Sequence, residues 1–410
     1  MKPLEGLKIV ELGMYIAVPS LSRLLGDWGA EVIKVEPPKG DNCRYSGAQV
    51  RIPARPDCNL TFSVANSGKK LISLDLKTPE GMAVMEKLLA QADIFLSNTR
   101  YGGLTRLGLD YESLHPRFPK LICCYINGYG FEGEEKDRPG FDLTSFWARS
   151  GILNAMRDPD GVPRFPPPAI GDLATANVAA AGVLAAVYQR FRTGEGSKVA
   201  TSLLATAVYS NYSHVMAGQE RPPEDTLKPL HTPEHFKEWK NPFYHIYKCK
   251  DGRLLFLLGG AYSKLHNTLR VLGLDDLVED PRYATHATMR QNTDELYDRM
   301  IEAFTQKTAR EWANIFEQMD ISYEILAENG EVSKDPQVWA NGCLTHMACP
   351  NGSTYVVPNT PVEFSGMART QTRHAGVLGS DTREILSSLG YTPEQIEDLL
   401  QREIAVAPKD

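Results

Sequence analysis

Apolar and polar residues alternate over Leu7–Leu12, Leu21, Leu24, Leu25 and Trp28 then recur at helical spacing, and a second branched run follows at Glu31–Val35. A period of two, then 3.6, then two predicts strand, helix, strand, the repeating unit of a parallel α/β sheet. The pattern returns. Leu71–Leu76 reads as a strand, Thr78-Pro79-Glu80 as a helix start with proline at the first helical position, and Ala92–Ser97 as the next strand. Pro119–Ile126 adds another strand, closed by Asn127-Gly128-Tyr129-Gly130. Polar or glycine-rich turns thus sit at the C-terminal ends of several strands, the edge where open parallel sheets bind ligands. Between these units, Pro37–Asn66 has little periodicity and reads as a long surface excursion, a kind of loop that often carries function.

Leu173–Phe191 is mostly Ala, Val, Leu and Tyr, without proline and with one internal glycine, Gly182. That composition predicts a helix buried nearly all round. Asp172 then falls at the N-cap, where backbone N–H groups and the helix dipole favour its ionised form. An ionised carboxylate is a potential nucleophile, and Gly171, Ala174 and Ala176 leave room beside it. Taken alone, an Asp there is more often a plain cap. Thr193–Gly196 is a turn, and Val199–Ser210 a strand running into a helix. Gly218–Asn241 is polar and proline-bearing, a linker to strands at His245–Tyr247 and Leu254–Leu258 and helices at Lys264–Val271, Thr293–Gln306 and Ala309–Gln318. Thr392 and Gln395 have capping-box spacing for a last helix. The division this predicts is residues 1–220 in a large domain, 221–325 in a small central α+β domain with its linker, and 326–410 returning to the first.

Composition narrows the function. A chain of 410 residues has room for more than one domain, and 44 Lys and Arg against 51 Asp and Glu give a net charge of -7. That balance argues against general affinity for nucleic acid or an anionic membrane. The opening MKPLEGLKIVELG lacks the apolar run of a signal peptide, and no run of eighteen apolar residues occurs, so a soluble, cytoplasmic protein is expected. Seven cysteines form no Cys-x-x-Cys pair; neither a zinc site nor a disulfide framework is indicated, and most are expected to be reduced and buried. The turn Gly13–Pro19 lacks the dinucleotide glycine pattern, so no nicotinamide or flavin site is read there.

One ordered set of motifs carries a resemblance: LEGLKIVEL at 4–12, GAEVIKVEPPKGD at 29–41, NSGKKLISLDLKTPEG at 66–81, ADIFLSN at 92–98, LTRLGLDYESL at 104–114, PKLICCYINGYG at 119–130, the IGD of Asp172, and RTGEGSKV at 192–199. The chain resembles the class III CoA-transferases nearly end to end. PGFDLTSFWARSG at 139–151 and NPFYHIYKCKDG at 241–252 look like the members acting on 2-hydroxy acids such as phenyllactate or 2-hydroxyisocaproate. The resemblance implies a large open Rossmann-like α/β domain formed by both chain ends, a smaller central domain, and an interlocked homodimer. It implies acyl-CoA and a carboxylic acid as substrates, with no permanently bound cofactor and no metal.

The family nucleophile matches Asp172, which passes through an acyl anhydride and an aspartyl-CoA thioester. Backbone N–H groups could stabilise the oxyanions on that path. Positions matching the family's CoA contacts are Ile16, Ala17, Leu74, Lys77, Asn98, Thr99, Arg106, Asn127 and Tyr129. Gly259 and Gly260 match a glycine-rich loop that covers the acylated aspartate, and Phe141, Phe146 and Trp147 are candidates for an aromatic wall around the acceptor. Members often carry a basic residue just after IKVE; here Pro37-Pro38 stand before Lys39, leaving Lys39 or Arg44 as substitutes. Three other readings stay open. One is a carnitine- or bile-acid-type transferase. Another is an α-methylacyl-CoA racemase, although Gly140-Phe141-Asp142 lacks the histidine of that family's GHD, and Pro233 spoils a helical pairing of His231 with His235. The third is a CoA-binding protein without turnover.

Overall fold

The structure, a computed structural model, describes residues 2–47, 52, 59–156, 163–220, 241–258 and 262–408. The chain forms two compact units: one of Met1–Ile152, Pro166–Glu220 and Pro336–Asp410, the other of Leu153–Phe165 and Arg221–Asp335. The return to the first unit falls at Pro336, not at 326. Leu326 still donates its N–H to Leu254 O, and Glu331 forks onto Arg253 at 2.9 Å, so this stretch is tied to the second unit.

The first unit is a mixed α/β layer structure. In chain order it contains β1 (Lys8–Leu12), α1 (Ala17–Asp27), β2 (Glu31–Glu36), α2 (Leu60–Asn66), β3 (Lys70–Leu74), α3 (Pro79–Ala90), β4 (Ile94–Ser97), α4 (Tyr101–Leu107), α5 (Tyr111–Leu114) and β5 (Ile122–Asn127). A π-helical turn at Asp142–Ala148 follows; α6 (Ile152–Ala155) starts at the boundary and belongs mostly to the second unit, and the first unit resumes with α7 (Ile170–Thr193), β6 (Lys198–Ser202), α8 (Leu203–Ser210) and α9 (Tyr212–Glu220). The strand order is β3-β2-β1-β4-β5-β6, all parallel, with the C-terminal strand Ala405–Val406 antiparallel on β3. Helices cover both faces: α3 and the C-terminal helices pack around Val84, Leu88, Phe95 and Leu386, while α1 and α7 pack around Leu21, Leu25, Ala179 and Val183. β1 is paired with β2 on one side and β4 on the other, so the chain direction of winding reverses there and a crevice opens at the strand ends.

The second unit has its own core around Tyr247, Leu257, Phe304 and Trp312. An antiparallel sheet of Tyr244–Lys248, Leu254–Leu258 and Ser322–Ile325 packs with helices that include Thr293–Phe304 and Ala309–Gln318.

Three sequence readings need correction. Pro37–Asn66 is not all surface: Asn59 caps α2, its amide donates to the carbonyls of Cys43, Arg44 and Ser46, and Phe62 and Asn66 are buried. The α7 helix is not buried all round. Its Ala176, Ala179, Ala180 and Val183 face the core, but Val178, Tyr188 and Phe191 are exposed, Phe191 at 90%. A disulfide that the cysteine spacing did not indicate is present at Cys349, while Cys43, Cys123, Cys124 and Cys249 are free and buried as expected of most, and Cys343 is exposed.

An ionic cluster beneath β1 anchors the crevice. Lys34 Nζ lies 2.8 Å from Glu11 Oε1, 3.1 Å from Asp41 Oδ2 and 2.6 Å from the Gly13 carbonyl, while Lys69 Nζ lies 2.7 Å from Glu11 Oε2. Burial by itself would raise the Glu11 carboxyl, but the two ammonium groups outweigh it and hold the group down at about 2. Its contribution to stability is therefore complete above the ordinary value of 4.5 and is lost as pH falls from there towards 2. Lys34→Met leaves Glu11 and Asp41 buried without their shared cation and is expected to destabilise the first unit by about 3–5 kcal/mol, read as a lowered thermal midpoint; an unchanged midpoint would contradict this account of the cluster.

Candidate active site

At the crevice, Asn98 at the end of β4 staples the turn after β1: its Oδ1 accepts the Met14 N–H at 2.9 Å and its Nδ2 donates to the Met14 carbonyl at 2.8 Å. Tyr15, the next residue, is left-handed with φ 61°. Both carboxylate oxygens of buried Asp41 accept its N–H, at 3.1 and 3.2 Å, which holds this strained residue in place. Gly13 is required here, because a Cβ would fall 2.5 Å from Val18 Cγ1.

A second left-handed residue, Ala169 with φ 70°, precedes α7. The helix begins at Ile170, so Asp172 lies in its first turn and is not its N-cap. The capping acid is Asp142, from the π-helical turn. Its Oδ2 accepts the Ala169 N–H at 2.9 Å and its Oδ1 the Asp172 N–H at 3.2 Å. Gly171 lets the two segments meet: a Cβ there would lie 2.3 Å from Phe146 Cγ and 2.4 Å from Asp142 Oδ1. Gly128 and Gly140 do the same one layer away, since a Cβ on either would come 2.6 Å from the other's Cα.

The helix terminus is thus already occupied by another carboxylate, which overturns the expectation that it favours ionised Asp172. Burial, and then the charge of Asp142, push the Asp172 carboxyl up to about 7.

Asp172 opens into a cleft of about 330 Å³ lined also by Met14, Ile16, Ala17, Asn98, Thr99 and Phe141. Asn127 lies on its wall, with its side chain engaged to Gly130 N and O at 2.7 and 2.6 Å, closing the turn after β5. A neighbouring cleft of about 480 Å³ shares Met14 and Thr99 with the first and adds Leu74, Lys77 and Arg106. Arg106 stands in the last turn of α4, and its guanidinium reaches back to the first turn, where Cβ atoms on Gly102 and Gly103 would each lie 3.9 Å from it. Tyr129 lines neither cleft. It sits behind Gly140 with the Arg138 guanidinium 5.1 Å over its ring. Of the three aromatic candidates only Phe141 reaches the cleft, in edge contact with Tyr15 at 5.7 Å; Phe146 and Trp147 are buried. Arg44 is committed to Glu36 at 2.7 Å and lies over Phe62, whereas Lys39 is exposed. Gly259 and Gly260 lie outside the described residues.

A parallel sheet with a cleft at its switch point and a pair of acids at a helix start is a common scaffold; the comparisons with known proteins decide its class. The model of CoA-transferase family III matches residues 4–382.

The chain belongs to CoA-transferase family III.

It is 36% identical over 398 residues to the (R)-2-hydroxy-4-methylpentanoate CoA-transferase of Clostridioides difficile, covering 96% of this chain and 97% of that protein. It is 35% identical over 397 residues to the cinnamoyl-CoA:phenyllactate CoA-transferase of Clostridium sporogenes, covering 96% and 95%. Among solved structures, Rv3272 from Mycobacterium tuberculosis is similar with a TM-score of 0.81 at 27% identity over 94% of this chain and 99% of that one. A CAIB/BAIF family protein from Brucella suis gives 0.78 at 27%, over 95% and 99%. The enzyme is therefore a CoA-transferase, with acyl-CoA and carboxylic acids as its substrate classes.

Sequence reasoning missed four residues of this candidate site. Arg100, Lys136 and Arg138 line the cleft of Asp172 as exposed cations, on turns whose position no periodicity reports. Asp142 was within reach as the only acid in the apolar stretch Gly140–Ala148, but its target lies thirty residues on. Gly171→Ala is expected to displace the first turn of α7 and lower kcat/KM by about 10²-fold, with little change in the sheet's thermal unfolding; unaltered turnover would mean the close approach of Asp142 and Phe146 does not matter.

Proposed function

We propose that this enzyme moves CoA from an acyl-CoA thioester to a 2-hydroxy acid such as phenyllactate or 2-hydroxyisocaproate, with Asp172 as the covalent carrier. The observation that carries the reading is the placement of Asp172. Its carboxylate faces the cleft, accepts no hydrogen bond among the described residues, and is flanked by the apolar ring of Phe141. The acceptors named in the two relatives at 36% and 35% identity support the acceptor class.

Asp172 attacks the donor thioester carbonyl; the C–S bond breaks and CoA leaves as thiolate, giving a mixed anhydride. The thiolate then attacks the Asp172 carbonyl and releases the donor acid, leaving an aspartyl-CoA thioester. The acceptor carboxylate attacks that thioester, and the departing thiolate returns to the new acyl carbonyl. One thioester replaces another, so no net driving force is required. Lys77 and Arg106 hold the anionic end of CoA in the outer cleft, and the turn from Met14 to Ala17 with Asn98 and Thr99 guides its arm towards Asp172. Where the racemase reading requires a histidine base, Phe141 offers no proton acceptor, and among the described residues no histidine lines the cleft.

The active form we propose is a homodimer of interlocked chains. Tyr188, Phe191, Tyr209, Tyr212 and Met216 form an exposed apolar run on α7–α9, a surface of the sort that is covered in oligomers. Sedimentation should give twice the 45.5 kDa of one chain; a monomer at working concentration would overturn this part.

The chemistry is tested by incubating the enzyme with cinnamoyl-CoA or a 2-hydroxyacyl-CoA and hydroxylamine, then mapping peptides by mass spectrometry. A hydroxamate at Asp172 that requires acyl-CoA is expected, and Asp172→Ala should lose both the label and turnover. An unlabelled Asp172 with each donor would point to CoA binding without this transfer. With labelling established, a panel of acceptor acids is expected to favour 2-hydroxy acids; preference for a quaternary amine or a steroid acid would replace that assignment with the carnitine or bile-acid type.

A further inference from the structure

We propose that Asp142 is a positioning residue whose fixed negative charge, held on the start of α7 by the N–H groups of Ala169 and Asp172, drives the reaction by disfavouring the charged, unacylated state of Asp172. The proposal rests on Asp172 being the nucleophile.

Asp142 is 7% exposed and accepts N–H bonds through both of its oxygens, at 2.9 and 3.2 Å. Burial pushes the Asp142 carboxyl above its ordinary range, and the charge-assisted N–H bonds of Ala169, Asp172 and Gly171 pull it back towards the ionised form, a pull that Asp172 lacks. Asp172 has no such support, although it lies on the same turn. Of two carboxylates sharing one helix terminus, the one with N–H donors keeps the charge and the other takes the first proton. The remaining groups facing Asp172 do not reverse this. Cys43, from the turn at Asn42–Tyr45, is a neutral thiol pushed up to about 12 by burial. Tyr15 follows β1, and Arg100, Lys136 and Arg138 reach the cleft from exposed positions where solvent screens them.

The consequence follows from the charge balance of the first step. As the Asp172 oxygen bonds to the thioester carbon, its negative charge passes to the sulfur of the departing CoA. The anhydride is neutral, so repulsion from Asp142 disappears on acylation and returns on release. Asp142 therefore raises the free energy of resting Asp172 without touching the substrate. An ordinary helix cap would only hold the turn in shape.

The test is the pH dependence of Asp172 acylation in single-turnover reactions with cinnamoyl-CoA, followed as CoA release over about pH 5 to 9. In the unmodified enzyme the rate should rise through about 7, since protonated Asp172 is not a nucleophile. Asp142→Asn and Asp142→Ser both keep an oxygen to accept an N–H but carry no charge. Each is expected to move the acid limb down by about one pH unit or more, with a lower plateau. Asp142→Glu, which keeps the charge, should restore the limb. Equal slowing at every pH, with the limb unmoved in both neutral variants, would reduce Asp142 to a structural cap. A limb near the ordinary carboxylate range of about 4 in the unmodified enzyme would overturn the proposal even if no variant folds. Hydroxamate mapping separates the two failures: absence of label at Asp172 removes the nucleophile, whereas label with an unmoved limb removes only the role of Asp142.

Discussion

Two buried aspartates set the geometry on which the site depends. Asp41 grips the N–H of Tyr15 and Asp142 that of Ala169, the two left-handed residues that bracket the cleft. Such backbone costs about 1–3 kcal/mol per residue when the side chain has a Cβ, and persists only where the surroundings enforce it. A hydrogen bond to an ionised acceptor contributes about 1.5–3 kcal/mol, enough to offset the strain at each position. Each aspartate is itself tied into a wider frame. Asp41 shares Lys34 with Glu11 beneath the sheet, and Asp142 sits in a π-helical turn that Gly140 and Gly171 allow to approach the neighbouring backbone.

From this frame the cleft follows. The parallel sheet reverses its winding at β1, so the ends of β1 and β4 diverge and Asn98 is left to staple them. The α7 helix delivers Asp172 to the same edge. A small-residue stripe of Ala176, Ala179 and Ala180 packs it closely on the sheet, and Gly182 sits where a Cβ would come 2.9 Å from Val199. The acid lies among apolar side chains with a second carboxylate nearby, an environment that favours the neutral state.

Much of this was legible in the chain. The strands β1, β2, β3 and β5 fall within a few residues of their predicted spans, because alternating branched residues read the same whether or not their neighbours are known. The capping box at Thr392 and Gln395 is likewise local and is present. Ile16, Ala17, Asn98, Thr99 and Asp172 converge on one cleft because each stands at the C-terminal end of a strand or the start of a helix, positions that motif spacing marks. Tyr129 and Phe146 carried the same kind of signal and do not face the cleft, since spacing locates a residue on the chain but does not orient its side chain.

The sequence by itself determined the element order, the parallel α/β class of the first unit, the acid at the start of a small-residue helix and the membership of the transferase family. Only the tertiary structure decided which acid caps that helix and which is left without donors. It also decided that Arg44 is spent on Glu36, that α2 is part of the core, and that one side of α7 is uncovered in a single chain. The reason is physical: propensity and periodicity are sums over neighbours in sequence, whereas a carboxylate's protonation depends on which donors and charges surround it in space. For Asp172 the decisive charge comes from thirty residues away, across a contact that exists only when the sheet has folded.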